Sequence, residues 1–210
     1  MSNTTNITKN WQWQPLVTEE LPHIKPEDTC FCLGDHYEYN PANKRHHLSD
    51  TITNFKRAKK YRTSSAWPWR NRDVGIFADH VAKFAALKDQ EPNTAIMAIP
   101  SSKKPDHPEY DSRFEDMFHK LFKKFGRHIQ LVTPIAIKES TPAAPLGGEK
   151  QPQDLLDNYS WQGEDLTSIE NILICDDLIT TGAHFRAVSD FLRENNYNNK
   201  ITGLLFAHHG

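Results

Sequence analysis

Cysteine is scarce: Cys30, Cys32 and Cys175 are the only three in 210 residues. An odd number this small builds no disulfide framework, so a reducing compartment is expected, with the cytoplasm as its default. Long apolar runs are missing too. No stretch reaches the length of a membrane span and no apolar signal core follows Met1, so no membrane contact is expected. Net charge is nearly absent, with 25 Lys and Arg against 27 Asp and Glu. That excludes a chain held on nucleic acid by bulk positive charge. The Gly-x-x-x-x-Gly-Lys-Ser/Thr loop of nucleotide hydrolases does not occur, which lowers that class. Hydrophobic residues make up only 37%, as expected of a chain with a polar tail or long polar loops, while 10% aromatic content supports a real core.

What is present divides the chain in two. Residues 1–28 are polar and aperiodic, with Trp11 and Trp13 between glutamines and then Pro15, Pro22 and Pro26. They read as an N-terminal tail, either disordered or docked by its tryptophans on a partner or on its own domain. Residues 29–210 read as one domain. A strand is expected over 29–39, then a helix over 49–61 with Ser49 or Asp50 as N-cap and the basic run Lys56-Arg57-Ala58-Lys59-Lys60. Val74, Phe77, Val81, Phe84 and Ala85 predict a helix over 73–87. A strand over 94–99 follows, then an amphipathic helix over 110–125 carrying Phe114, Met117, Phe118, Leu121, Phe122 and Phe125 on one face, capped by Gly126. After a strand at 129–132, residues 135–154 read as loop because of Pro142, Pro145, Gly147, Gly148 and Pro152. Strand 171–175, helix 182–195 and strand 201–207 complete the domain. Short apolar runs alternating with helices predict an α/β fold with a mainly parallel sheet flanked by helices.

The informative segment runs Ile172-Leu173-Ile174-Cys175-Asp176-Asp177-Leu178-Ile179-Thr180-Thr181-Gly182-Ala183-His184. An apolar strand leads into two carboxylates, then two threonines, a glycine and a helix start. Ligands of open α/β sheets bind beyond the carboxyl ends of the strands. Amides of Thr180, Thr181, Gly182 and Ala183 at a helix N-terminus favour an anion, helped by the dipole and the hydroxyls. Two carboxylates would repel that anion in contact but accept hydrogen bonds from hydroxyls a few ångströms away. The composite ligand is a polyol carrying a phosphate. The competing interpretation is a parallel strand ending in solvated acids, with Thr181 as an ordinary N-cap.

This segment resembles the phosphoribosyl-pyrophosphate (PRPP) motif of type I phosphoribosyltransferases. The resemblance implies a Rossmann-like phosphoribosyltransferase fold and PRPP, delivered as its Mg²⁺ complex, as substrate. It implies that Asp176 and Asp177 bind the ribose hydroxyls, and that Thr180, Thr181, Gly182 and Ala183 hold the 5′-phosphate. His184 stands where the family carries Thr or Ser. Ser101, Ser102, Lys103 and Lys104 stand where the family has its pyrophosphate loop, and Arg113 resembles an arginine near the pyrophosphate. A turn with solvated lysines, and a solvated helix residue, are the alternatives for these two. The segment 137–154, with Lys138 and Lys150, stands where the family has a mobile lid.

The chain stops soon after its last strand and carries no large C-terminal hood, so it resembles the competence-protein (ComF-like) branch. Residues 29–72, with Tyr37, Tyr39, Tyr61, Trp67 and Trp69, are the candidate substitute for the hood, against a small packed subregion. Many members of that branch carry an N-terminal zinc cluster. Here Cys30 and Cys32, with His36, His46 and His47 nearby, have one residue between them, which is tight for a tetrahedral site. No zinc is expected, and the two thiols read as core residues on one strand face. Two functions stand: transfer of ribose 5-phosphate to an unidentified nitrogenous acceptor with release of pyrophosphate, or a non-catalytic PRPP-binding regulator. The basic run and the tryptophans permit a single-strand nucleic-acid platform, but a solvated basic helix is the commoner case and nucleic acid is not expected. Self-association is left open.

Overall fold

A computed structural model describes residues 11–17, 19, 21–37, 47–87, 93–125, 129–142 and 151–209. Tyr39, His46, Gly126, Pro145, Gly147, Gly148 and Lys150 lie outside the described residues. In chain order the elements are β1 (Gln14–Pro15), β2 (Thr29–Cys32), β3 (Asp35–His36), α1 (His47–Phe55), α2 (Trp67–Leu87), β4 (Thr94–Ala98), α3 (Arg113–Phe125) and β5 (Gln130–Leu131). Then come β6 (Ile135–Ile137), α4 (Pro152–Asp157), β7 (Tyr159–Trp161), β8 (Asn171–Ile179), α5 (Ala183–Glu194) and β9 (Lys200–His209).

Seven strands form one sheet in the order β1-β2-β9-β8-β4-β5, with β3 paired to β9 beyond the end of β2. All pairs are parallel except β1 with β2. The fold is therefore α/β with a mostly parallel mixed sheet, compatible with a Rossmann-like arrangement. The period of two decides which side each residue covers. Ile172, Ile174, Ala95 and Met97 pack with Phe185, Val188 and Leu192 of α5 on one face. Leu173, Cys175, Ile96, Leu204 and Phe206 pack with α1, α2 and α3 on the other. There Phe206 lies flat on Phe77, with ring centroids 4.2 Å apart, and meets the edges or tilted faces of Phe55 and Phe114.

The chain leaves β4 through α3 to reach β5 on one side, and leaves β8 through α5 to reach β9 on the other. The order of connection thus reverses between β4 and β8, which opens a crevice at their carboxyl ends. A buried glycine lets the layers close: a Cβ on Gly203 would lie 2.8 Å from Cys30 Sγ and 3.0 Å from Phe185 Cε2.

Several boundaries differ from the sequence-based expectations. The first strand breaks at Leu33-Gly34 into β2 and β3. The first helix starts at His47 and stops at Phe55, so the whole basic run lies outside it, partly in a 3₁₀ turn at Lys59–Tyr61. Ser49 is not its N-cap; its Oγ accepts the Tyr37 amide at 3.0 Å. The second helix starts at Trp67, because Pro68 is tolerated in a first turn. Segment 135–154 is not all loop: β6 pairs antiparallel with β7, and α4 begins at Pro152. β8 continues to Ile179, so the two acids lie within the strand.

Within residues 29–72, β2 and β3 belong to the main sheet. Trp67 and Trp69 are covered by the guanidiniums of Arg70 and Arg72, each 4.6 Å from a ring centroid. The described residues of the N-terminal segment, from Trp11 on, pack on the domain. Trp11 stacks on His80, Trp13 Nε1 donates to His80 O at 3.0 Å, and Leu21 and Ile24 are buried. Cys30 and Cys32 are both buried on β2, and burial pushes the Cys30 thiol up to about 12. Among the described residues no helix is long and apolar enough to cross a membrane.

Candidate functional site

The apolar run 171–175 fills the sheet centre because both faces of β8 are covered, and the strand stays paired as it emerges beyond the core. Asp176 is in register with Leu205 of β9. Asp176 is half-buried and Asp177 is 5% exposed. The Asp177 amide donates to Asp176 Oδ1 at 2.8 Å, which fixes the first carboxylate beside the second.

Two cations hold Asp177. Arg113, the first residue of α3, places Nη1 2.9 Å from Asp177 Oδ2. Lys56, directly after α1, places Nζ 3.2 Å from Asp177 Oδ1. Burial raises the Asp176 carboxyl, and the charge of Asp177 adds to this, bringing it to about 7. Burial also opposes ionisation of Asp177, but Arg113, Lys56 and His184 prevail and hold it below the usual carboxylate range. The pair thus carries one full negative charge and takes up a proton near neutrality.

The Asp176 shift has a testable consequence. A carboxyl that binds its proton more tightly in the folded state makes stability fall as pH rises from about 4 to about 7. Asp176→Asn keeps the amide acceptor and removes the buried charge. Its stability relative to wild type should rise through that window, reaching an advantage of about 1–3 kcal/mol at pH 8. Urea unfolding followed by circular dichroism at several pH values measures this difference. A gap that does not widen with pH would rule out the raised carboxyl.

Beyond β8, Thr180 and Thr181 lead to Gly182, the N-cap of α5, at φ 82°. This left-handed backbone favours glycine, and space demands it too: a Cβ there would lie 2.6 Å from Ile24 Cγ1. Thr181 is not the N-cap, although its Oγ1 accepts the Ala183 amide at 3.4 Å. His184 is half-buried in the first turn of α5 and acts electrostatically on Asp177.

The N-terminal segment braces this turn. The His23 amide donates to Thr181 O at 3.1 Å, and Arg186 Nε donates to His23 O at 3.1 Å. Arg186 also pairs with Asp28.

The β4 loop sits across the crevice. The Ser101 hydroxyl accepts the Lys103 amide at 3.3 Å, and Ser102 O accepts the Thr141 amide at 2.8 Å. Lys104 donates its amide to Ser140 Oγ at 2.9 Å and its ammonium to Lys138 O at 3.2 Å. Lys103 Nζ lies 3.7 Å from Glu109. Lys138 gives its ammonium to Asp157 O at 2.8 Å. The β4 loop and the start of segment 137–154 are therefore tied to each other, and their lysines point to local partners.

The structure joins Asp176, Asp177 and Arg113 in one cluster, with Thr180–His184 following on the same strand exit. It does not bring Lys103 or Lys104 to the acid pair. Sequence reasoning missed Lys56, Asp111 and Arg70. Asp111 accepts the Arg113 amide at 3.0 Å and lies 3.5 Å from Arg113 Nε. Arg70, 1% exposed, reaches Asp111 and Asp116. One signal for Lys56 was available: it falls eight residues after Leu48 and four after Ile52, in line with the apolar stripe of α1 just beyond its end, where a solvated lysine is out of place.

Among the described residues no three His, Cys, Asp or Glu side chains are placed to hold a metal ion. A cleft of about 620 Å³ opens at the other end of the sheet, lined by Thr94, Phe122, Leu131 and Ile169. No family model matches this chain, and neither does any curated protein.

Proposed function

We propose that this chain is a phosphoribosyltransferase of type I, which binds PRPP at the carboxyl ends of β4 and β8 and transfers ribose 5-phosphate to a nitrogenous acceptor. The single observation that carries this is the position of the acid pair. It lies at the point where the sheet reverses its connections, followed five residues later by a left-handed glycine that turns into a helix. Carboxylates suit the ribose hydroxyls, and the first amides of α5, with Thr180 and Thr181, suit the 5′-phosphate. The fold to which the reading points is the Rossmann-like phosphoribosyltransferase fold.

The chemistry asks for positioning and electrostatics rather than a covalent intermediate. The C1–O bond breaks with its electron pair leaving on pyrophosphate, while the acceptor nitrogen forms the new bond to C1 and gives its proton to solvent. Magnesium arrives with the substrate, on the diphosphate. Asp176 and Asp177 hold the ribose so that C1 faces the crevice.

A second reading, a PRPP-binding protein without transfer, is favoured by one observation: both oxygens of Asp177 are engaged by cations, and the lysines of the β4 loop are engaged elsewhere. Release of pyrophosphate from bound PRPP, with a panel of amine and base acceptors, separates the two.

The test is calorimetric titration of PRPP with Mg²⁺. Wild type should show saturable binding, and Asp176→Asn/Asp177→Asn should lose it by about a hundredfold or more, since both carboxyl groups that would receive the ribose hydroxyls are replaced. Asp176→Asn alone, expected to be at least as stable as wild type, guards against an unfolded double variant and should also bind more weakly. Folded wild type that binds no PRPP sinks the reading.

A further inference from the structure

We propose that Lys56 and Arg113, rather than the two lysines of the β4 loop, form the diphosphate-binding pair of this site, and that they exchange Asp177 for the incoming anion.

The two cations come from elements far apart in sequence and meet at one carboxylate. Lys56 arrives at the end of α1 and Arg113 at the start of α3, 3.2 and 2.9 Å from the two oxygens of Asp177. α1 is anchored in the core by Leu48, Ile52 and Phe55, and α3 by Met117, Phe118 and Leu121. Neither cation is therefore a drifting surface charge. Both nevertheless remain within reach of solvent, at 39% and 22% side-chain exposure, whereas Asp177 beneath them is at 7%. An anion arriving from the crevice meets the ammonium and the guanidinium before it meets the acid.

The chemistry of the two donors favours such an anion. Among the described residues Asp177 is the carboxylate that both cations contact. Asp111 also approaches Arg113 Nε, at 3.5 Å, but it is shared with the buried Arg70 at the same distance. Asp176 is neutral for part of the time near pH 7. A diphosphate is an anion that both bind well: Arg through parallel donors, Lys as a point charge.

The anchoring also fits an exchange. Arg113 is held from behind through its backbone amide and Nε at Asp111, so Nη1 can leave Asp177 without losing its place. Lys56 has a flexible four-carbon stem. Once both turn to the anion, Asp177 is freed to accept ribose hydroxyls. That resolves the conflict of placing two carboxylates beside a diphosphate, because the cations stand between them. Lys103 lies 3.7 Å from the exposed Glu109, and Lys104 donates to Lys138 O at 3.2 Å, tying the β4 loop to the start of segment 137–154.

The ribose-phosphate reading supplies the identity of the ester, but the cation pair is tested without it. Magnesium pyrophosphate is titrated by calorimetry into wild type, Lys56→Met, Lys56→Arg and Lys103→Met/Lys104→Met. Lys56→Met should weaken pyrophosphate at least about tenfold, the loss of one charge-assisted contact. Lys56→Arg should stay within about threefold of wild type, and so should the double loop variant. Ribose 5-phosphate, whose anion goes to the α5 turn, should bind Lys56→Met about as well as wild type. Wild type that binds no pyrophosphate overturns the pair, and so does a loss confined to the Lys103/Lys104 variant. If wild type binds ribose 5-phosphate but not pyrophosphate, the pair fails and the ribose-phosphate reading stands. If it binds pyrophosphate but not ribose 5-phosphate, the pair stands and that reading fails.

Discussion

Phe206→Ala is expected to destabilise the protein by about 3–5 kcal/mol, because a fully buried ring is removed and its neighbours cannot collapse into the space. Phe206 is 0% exposed, lies flat on Phe77, and contacts Phe55 and Phe114. For a chain of this size the melting temperature should fall by on the order of 10 °C. The effect should reach the site as well. Phe55 is the residue before Lys56, and Phe114 the residue after Arg113, so one aromatic stack sets the position of both cations. Phe206→Leu keeps most of the volume and should cost less than about 2 kcal/mol. Thermal and urea unfolding of the two variants measures the difference. Equal and small losses would show that the stack is loosely packed.

Arg113→Met should cost about 2–4 kcal/mol at pH 7. Removing one partner of a buried pair leaves the other charge uncompensated, and the partial exposure of Arg113 keeps the effect below the top of that range. Asp177 is the charge left behind, with Lys56 alone to face it. The folded state holds the Asp177 proton less tightly than the unfolded state, so this stabilisation is present above about pH 4 and is lost as pH falls further. The penalty of Arg113→Met should therefore shrink toward pH 3. Adding Asp177→Asn should recover much of the loss at pH 7. Urea unfolding at both pH values, with the double variant, checks this. A cost under about 0.5 kcal/mol at pH 7 would make the contact an ordinary solvated ion pair.

The sheet strands were legible where they are fully buried. The runs at 94–99, 171–175 and 201–207 are apolar on both faces, because helices cover both, and β4, β8 and β9 occur there. α3 was legible because Phe114, Met117, Phe118, Leu121 and Phe122 repeat at helical spacing. Edges were less so. β6 and β7 lie in segments of mixed polarity whose pairing is set by a contact between residues about twenty-four apart. The extra length of β8 depends on its neighbour β9, since nothing in Asp176-Asp177 favours a strand locally. Docking of the N-terminal segment was one of the readings left open by sequence, for the same reason. Leu21 and Ile24 sit among prolines and acids with no period, and their burial comes from Gly182 and α5, some 160 residues away.

The candidate site divides in the same way. Sequence alone determined the acid pair, the Thr-Thr-Gly turn and the helix that follows, because strand, turn and helix N-terminus are local and each residue type has a local reason to be there. By resemblance it also offered Arg113 as a candidate, beside a solvated helix residue. Tertiary structure decided which cations face the acids. Lys56 looked like one member of a solvated basic run and Lys103 and Lys104 like the natural anion ligands, but α1 brings Lys56 to Asp177 while the loop lysines find partners close by. A charge can be read from sequence; the charge it meets depends on how the helices pack, and here that was settled by the aromatic core between α1, α3 and β9.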